Sequence, residues 1–253
     1  MSAQPPAAAD ALHRLVLWNI GLTLVDVARV NRAAYAEAFR AVTGRPLVQV
    51  PQMAGRTDSE IFFEALAVNA AGPPPGDPAG EELLGRFTGR LAAAFRDRRD
   101  LLTSQGRLMP GAHEAGVAVW RLPGLVQTVL TGAIRPNAIE VLRAFDLDRH
   151  LDTEIGGYGS EVYPKGAMLL NARGRAAERY QADFTEHTTV YVADSTRDVE
   201  AARIGGARSI GVASGRSAAG ELRDAGADVV LDDLADTEAV LAAVGRLTAA
   251  IWS

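Results

Sequence analysis

Leu15-Val16-Leu17-Trp18-Asn19-Ile20-Gly21-Leu22-Thr23-Leu24-Val25-Asp26 carries more information about this chain than any other stretch. Four apolar residues in unbroken succession, Leu15 to Trp18, give way to small and polar ones. That is the pattern of a strand buried on both faces that delivers a loop able to carry chemistry. Downstream, similar apolar runs alternate with helical patterns. Strands are expected at Leu125–Leu130, near Asp152 to Gly156, at Thr188–Ala193, Arg208–Ala213 and Asp228–Leu231. Helices are expected between them, over His113–Arg121, Pro136–Ala144, Ala167–Tyr180, Val199–Ile204 and about Glu221–Ala225. The alternation predicts an α/β fold, a doubly wound parallel sheet covered on both faces, with reactive loops at the carboxyl ends of the strands.

One segment breaks the alternation. From Val27 to about Arg107 every pattern is helical. Ala28–Val42 places Val30, Ala34, Ala38 and Phe39 on one face, and Thr57 with Glu60 three residues later forms a capping box before Ile61, Phe62 and Leu66. Gly72 to Gly80, with four prolines, reads as a turn-rich linker, and a third helix is expected from about Glu81 to Leu102. The expected organisation is therefore a core of residues 1–26 and 108–253 with a helical cap, 27–107, inserted after the first strand.

At 253 residues, 48% hydrophobic and 23% charged, the chain is long enough for one substantial core and a smaller domain. It has no cysteine, which removes disulfides, thiolate metal sites and cysteine nucleophiles. The net charge of −5 and an isoelectric point near 5.4 leave no basic field for nucleic acid or anionic lipid. His13, His113, His150 and His187 are scattered and share no metal-ligand spacing. Met1 to Asp10 is Ala/Pro-rich, lacks the features of a secretory signal and is expected to be a frayed tail. No apolar run has the length of a membrane span, so the cytoplasm is the expected location.

The first stretch resembles the leading motif of the haloacid dehalogenase-like (HAD) phosphohydrolases, in which a buried strand ends in Asp-x-Asp-Gly-Thr-Leu-Val. Thr23, Leu24 and Val25 agree with it, as does the acid at Asp26. Asn19 stands at the place of the nucleophilic aspartate, Gly21 at that of the acid/base aspartate, and Leu22 where glycine is usual. Later stretches resemble the family's other motifs in order. Leu130-Thr131-Gly132 is similar to the second, in which Thr131 and the backbone at Gly132 would hold phosphoryl oxygens at a helix N-terminus. Lys165 matches the third-motif cation, and Val192-Ala193-Asp194-Ser195-Thr196-Arg197-Asp198 the fourth, whose carboxylates hold magnesium. The resemblance continues through Gly205-Gly206-Ala207-Arg208 and Ala225-Gly226-Ala227-Asp228, in a phosphoglycolate phosphatase-like manner.

That resemblance implies Asp194, Asp198 and the Asn19 carbonyl as metal ligands, with Mg2+ possible but weakened by the missing acids. It implies Thr23, Thr131, Gly132 and Arg56 as ligand-binding residues, and Asn19, Gly21 and Lys165 at the catalytic positions. Arg56, Thr57 and Asp58 open a cap helix and suit ligand recognition, while Asp26 is expected to cap a helix or form a hinge. An asparagine is a poor nucleophile and glycine carries no proton. The expected function is a non-hydrolysing protein, a pseudoenzyme, that binds a small phosphorylated or anionic metabolite. Two alternatives stand beside it: an enzyme repurposed to another reaction in the same pocket, and a phosphatase of small phosphomonoesters carrying inactivating substitutions.

Overall fold

A computed structural model describes residues 13–53, 55–74, 76–160 and 164–248. The expected tail, Met1 to Asp10, and Tyr163 lie outside the described residues. The elements in chain order are β1 (Arg14–Trp18), β2 (Val25–Asp26), α1 (Ala28–Thr43), α2 (Asp58–Val68), α3 (Pro78–Arg96), α4 (Leu102–Gln105), β3 (Arg107–Leu108), α5 (Ala112–Trp120), β4 (Leu125–Thr131) and α6 (Arg135–Ala144). They continue with β5 (Gly157–Tyr158), α7 (Lys165–Tyr180), β6 (Thr189–Ala193), α8 (Thr196–Ile204), β7 (Arg208–Val212), α9 (Ala219–Asp224), β8 (Val229–Leu231) and α10 (Thr237–Leu247).

Six strands form one parallel sheet in the order β5-β4-β1-β6-β7-β8. β1 lies centrally, with Leu15 opposite Val126 on one side and Thr189 on the other. Helices cover both faces, so β1, β4 and β6 have no wet side, and apolar residues follow one another without alternation. Trp18 is sealed in by giving its indole N–H to Gln127 Oε1 at 2.8 Å. The chain leaves β1 toward β4 and β5 and later returns to β6 on the other side. The carboxyl ends of β1 and β6 therefore meet at the point where the winding reverses, the usual place for a ligand crevice.

β2 and β3 pair antiparallel, Val25 with Leu108 and Asp26 with Arg107, so the chain enters and leaves the helical insert side by side. Asp26 accepts from the Ala28 N–H at 3.2 Å, which closes the turn into α1, and pairs with Arg107 at 3.4 Å across the base of the insert. Within the insert, Phe62 stacks on Phe87 at 4.2 Å between centroids and Tyr35 meets Phe87 edge-on, tying α1, α2 and α3 together.

Three local expectations change. α3 begins at Pro78 rather than Glu81, because Asp77 caps it through the Ala79 N–H and proline suits the first helical turn; it also stops at Arg96, before a short helical turn and α4. The strand expected near Asp152 lies at Gly157–Tyr158, since the Asp152 carboxylate turns the chain by accepting from the Glu154 N–H. α10, which packs against α5, was not anticipated from the sequence. Among the described residues no helix is long and apolar enough to cross a membrane.

Candidate functional site

Asn19 is the first residue after β1, and its own N–H still bonds to the Val192 carbonyl of β6 at 2.9 Å. The side chain is buried among polar groups. Its Nδ2 donates to the Asp194 carboxylate at 2.9 Å, the Gly21 carbonyl at 2.9 Å and Thr23 Oγ1 at 3.2 Å. Its Oδ1 accepts from Lys165 Nζ at 3.3 Å. Reversing the amide would set oxygen against the Asp194 and Gly21 oxygens and nitrogen against an ammonium, so the network fixes the orientation. Asn19 thus bridges the cation and the acid.

The loop after β1 is held under strain. Leu22 adopts φ 61°, a left-handed conformation that costs a β-carbon-bearing residue about 1–2 kcal/mol. Its N–H reaches the Val25 carbonyl at 2.7 Å, which closes the turn and explains why glycine is the easier residue there.

Asp194 ends β6 and Asp198 lies one turn into α8. Thr23 donates to Asp194 Oδ1 at 2.9 Å, and the Arg216 backbone N–H donates to Oδ2 at 3.1 Å. Burial, then the charge of Asp198, raises the Asp194 pKa; the Arg216 N–H, the Thr23 hydroxyl and Lys165 pull it back. Asp198 is almost wholly enclosed and accepts from Lys165 Nζ at 2.5 Å, Tyr191 at 3.0 Å and Ser195 at 2.6 Å. Burial and Asp198 push the Tyr191 hydroxyl well above its usual range, keeping it a neutral donor. As arranged, the Asn19 carbonyl and the Asp194 and Asp198 carboxylates, the groups that would hold magnesium, each accept from protein donors. Among the described residues, no cluster of three or more His, Cys, Asp or Glu side chains could hold a metal ion.

Above these groups lies a cavity of about 720 Å³. Its floor is the sheet end, including Asn19, Gly21, Thr131, Lys165 and Asp194; Gly132 borders the same space. Thr23 and Asp198 stand behind this floor and support it without lining it. Thr131 is buried and accepts the Ala133 N–H at 3.3 Å. The roof is the insert, which bears directly on the core: the Asp58 N–H donates to the Gly132 carbonyl at 2.8 Å, Ser59 to the Gly159 carbonyl at 2.9 Å, and the Ile134 N–H to Asp58 Oδ2 at 3.0 Å. A β-carbon on Gly132 would collide with the Arg56 carbonyl, so only glycine admits this crossing.

Arg56 lines the cavity, but its guanidinium is paired with Glu64 and reaches the Gln52 and Glu60 carbonyls. Thr57 and Glu60 form the capping box of α2. Asp58 is half-buried at the cavity's edge with a single backbone donor, and desolvation raises its pKa to about 7 against that donor's pull.

Sequence reasoning missed four groups that complete the site. Arg216 follows β7 in a small-residue loop, Ala213-Ser214-Gly215-Arg216-Ser217, whose place after an apolar strand was the available signal. A β-carbon on Gly215 would strike the Asp194 carboxyl, so this loop closes directly on the acid. Tyr191, Tyr35 and Asn137 gave no local signal, because strand and helix residues of these types are common.

A doubly wound sheet, a helical insert after its first strand and a lysine–carboxylate cluster at the winding reversal point to one fold. It is the haloacid dehalogenase-like fold. A family model described as HAD-hydrolase-like matches residues 164–237, the part from Lys165 through β8. Solved HAD-like structures align over nearly the whole chain. A hydrolase from Pseudomonas syringae shares 22% identity over 92% of this chain and 99% of that one, with a TM-score of 0.62. CbbY from Rhodobacter sphaeroides in complex with phosphate shares 21% identity over 89% and 96%, also with a TM-score of 0.62. A mutant of CbbY in complex with xylulose-(1,5)bisphosphate gives 20% identity, the same coverages and a TM-score of 0.62. No curated protein matches the sequence.

Proposed function

We propose that this HAD-like chain binds a small phosphorylated metabolite in the cavity and leaves the phosphoester intact. The observation that carries the proposal is the Asn19 amide, fixed between Lys165 and Asp194 where the HAD-like fold would hold an attacking carboxylate. A neutral amide is a poor nucleophile, because its nitrogen lone pair is delocalised into the carbonyl and its uncharged oxygen already accepts from Lys165. Gly21 supplies no proton to a leaving group. Residues 1–26 and 108–253 act as the binding core and 27–107 as its cap, which works as the roof described above.

Binding rests on groups that survive. Lys165, the Thr131 hydroxyl, the N-terminal end of α6 and the Arg216 loop converge on the floor and favour an anion. The phosphate held by CbbY and the bisphosphate held by its mutant support the same ligand class in a similar fold. Magnesium is weakly held at most, since the acids that would coordinate it are engaged by Thr23, Arg216, Lys165, Tyr191 and Ser195. One observation favours a repurposed enzyme as the second reading: Asp58 borders the cavity and changes protonation near neutrality, as a general acid or base would.

The test is a panel of phosphomonoesters with magnesium, run on the unaltered chain, on Asn19→Asp and on the double variant with Gly21→Asp, beside calorimetry with inorganic phosphate. The unaltered chain is expected to turn over none of them above background while phosphate binds. Turnover by the unaltered chain overturns the proposal. Activity confined to the double variant supports it, because catalytic groups that act as a unit are restored only together.

A further inference from the structure

The cavity has an upper wall very different from its floor. Ile61 of α2, Leu91 and Phe95 of α3, and Ala138 and Val141 of α6 all line it, and all are buried. Leu91 and Phe95 are four residues apart on one helix, and Ala138 and Val141 three apart on another, so each pair presents a single apolar stripe. A phosphate group fills only a small part of about 720 Å³, and the rest of a ligand would rest against this hydrocarbon. Hydroxyl groups pressed there would lose water and find no partner, which is unfavourable.

One polar side chain interrupts the apolar wall. Asn137 lies on α6 beside Ala138 and one turn before Val141. It is 5% exposed, it lines the cavity, and its amide makes no hydrogen bond to any described residue. Of the other polar groups at this end, Tyr35 donates to the Asp58 carbonyl at 3.3 Å, Asp58 accepts the Ile134 N–H, Arg32 and Gln52 are exposed, and Asn31 of α1, whose side chain makes no hydrogen bond to a described residue, is less buried than Asn137. The amide opens on the cavity, where its donors and acceptor are met by water or by a polar group of a ligand.

Resting on the phospho-ligand reading above, we infer that Asn137 determines the specificity of this cavity. Its ligand is a phosphate ester whose carbon body is largely apolar and carries one hydrogen-bonding group, met by the Asn137 amide. The phosphate lies on the floor by Lys165 and Thr131, and the body between α2, α3 and α6.

Calorimetry with five kinds of probe tests this: inorganic phosphate, butyl phosphate, butyl phosphates bearing one hydroxyl at carbon 2, 3 or 4, erythritol 4-phosphate, and butanol. The unaltered chain should bind butyl phosphate more tightly than inorganic phosphate by about fourfold per buried methylene. At least one singly hydroxylated ester should bind more tightly still, and erythritol 4-phosphate more weakly than butyl phosphate. Asn137→Leu should keep the affinity for butyl phosphate and cut the preference for the hydroxylated ester about tenfold. Asn137→Ala, which adds no bulk, should reduce the same ratio and guards against misfolding of the first variant. A ratio of hydroxylated to plain ester that is unchanged in both variants overturns the role of Asn137. Tightest binding of erythritol 4-phosphate overturns the apolar body. Should no phosphate compound bind at all, it is the phospho-ligand reading that fails; inorganic phosphate binding with no gain from the butyl chain leaves that reading standing and defeats this one.

Discussion

The floor and the roof of the cavity both bury carboxylates, and they do so in opposite ways. On the floor, Asp198 receives three side-chain donors, one of them the Lys165 ammonium, and Asp194 receives Asn19, Thr23 and the Arg216 N–H. On the roof, Asp58 receives one backbone N–H, and burial carries its pKa to about 7. Donors replace the water that a buried carboxylate loses, and the floor supplies several to each acid where the roof supplies one. The floor is consequently a fixed polar surface, whereas the roof carries a carboxyl whose pKa lies near neutrality and shares the apolar wall with α6. On the function proposed above, phosphate would be met by the floor and the ligand body by the apolar wall, with α6 contributing to both.

The largest effect should come from taking a donor set apart on the floor. Among the described residues, Asp198→Ala leaves Lys165 hydrogen-bonded only to the Asn19 carbonyl, strips Ser195 of its acceptor and leaves Tyr191 with the Leu130 carbonyl alone. A loss of about 3–5 kcal/mol in chemical denaturation is expected, as for other broken buried pairs. A loss below about 1 kcal/mol would mean the ammonium finds water, and the contrast with the roof would collapse.

On the roof the expected signature is a pH slope. The Asp58 pKa is higher folded than unfolded, so the folded chain holds the proton more tightly. Its contribution is therefore full at low pH, falls as pH rises from about 4 toward about 7, and is flat above. The total is at most about 4 kcal/mol. Asp194 is shifted the same way, so the measurement is the difference in denaturation free energy between the unaltered chain and Asp58→Asn across that range. Equal slopes in the two would place Asp58 in water and remove the distinction.

The smallest change is the most pointed. Asn19→Asp replaces the amide nitrogen with an oxygen facing the Asp194 and Gly21 oxygens, with Lys165 the nearest cation. At neutral pH without divalent ions it should cost about 1–2 kcal/mol. Thermal melts should show millimolar magnesium recovering most of that loss in Asn19→Asp and doing little for the unaltered chain. Equal stabilisation of both by magnesium would show that the amide does not substitute for a cation.

Much of this was legible from the chain alone because it depends on local pattern. Leu15 to Trp18, Leu125 to Leu130 and Thr188 to Ala193 are apolar runs bounded by small residues, and burial on both faces of a parallel sheet leaves that signature in any surroundings. The capping box at Thr57 and Glu60 is likewise written within four residues. The resemblance to ordered motifs named Asn19, Thr131, Lys165 and Asp194, and their placement on one cavity follows from strand ends that the fold brings together. The rest was decided only in three dimensions. That Asn19 bridges Lys165 and Asp194, residues 146 and 175 positions away, depends on which strands are neighbours. That the Asp58 pKa lies near neutrality depends on desolvation where the insert meets the core, with one donor, the Ile134 N–H, to offset it. Asn137 and Arg216 carry no local mark, because an asparagine on a helix or an arginine in a loop acquires its role from what packs opposite. Propensity and periodicity act over a few residues, whereas desolvation and hydrogen-bond partnership are properties of neighbours that only the folded chain supplies.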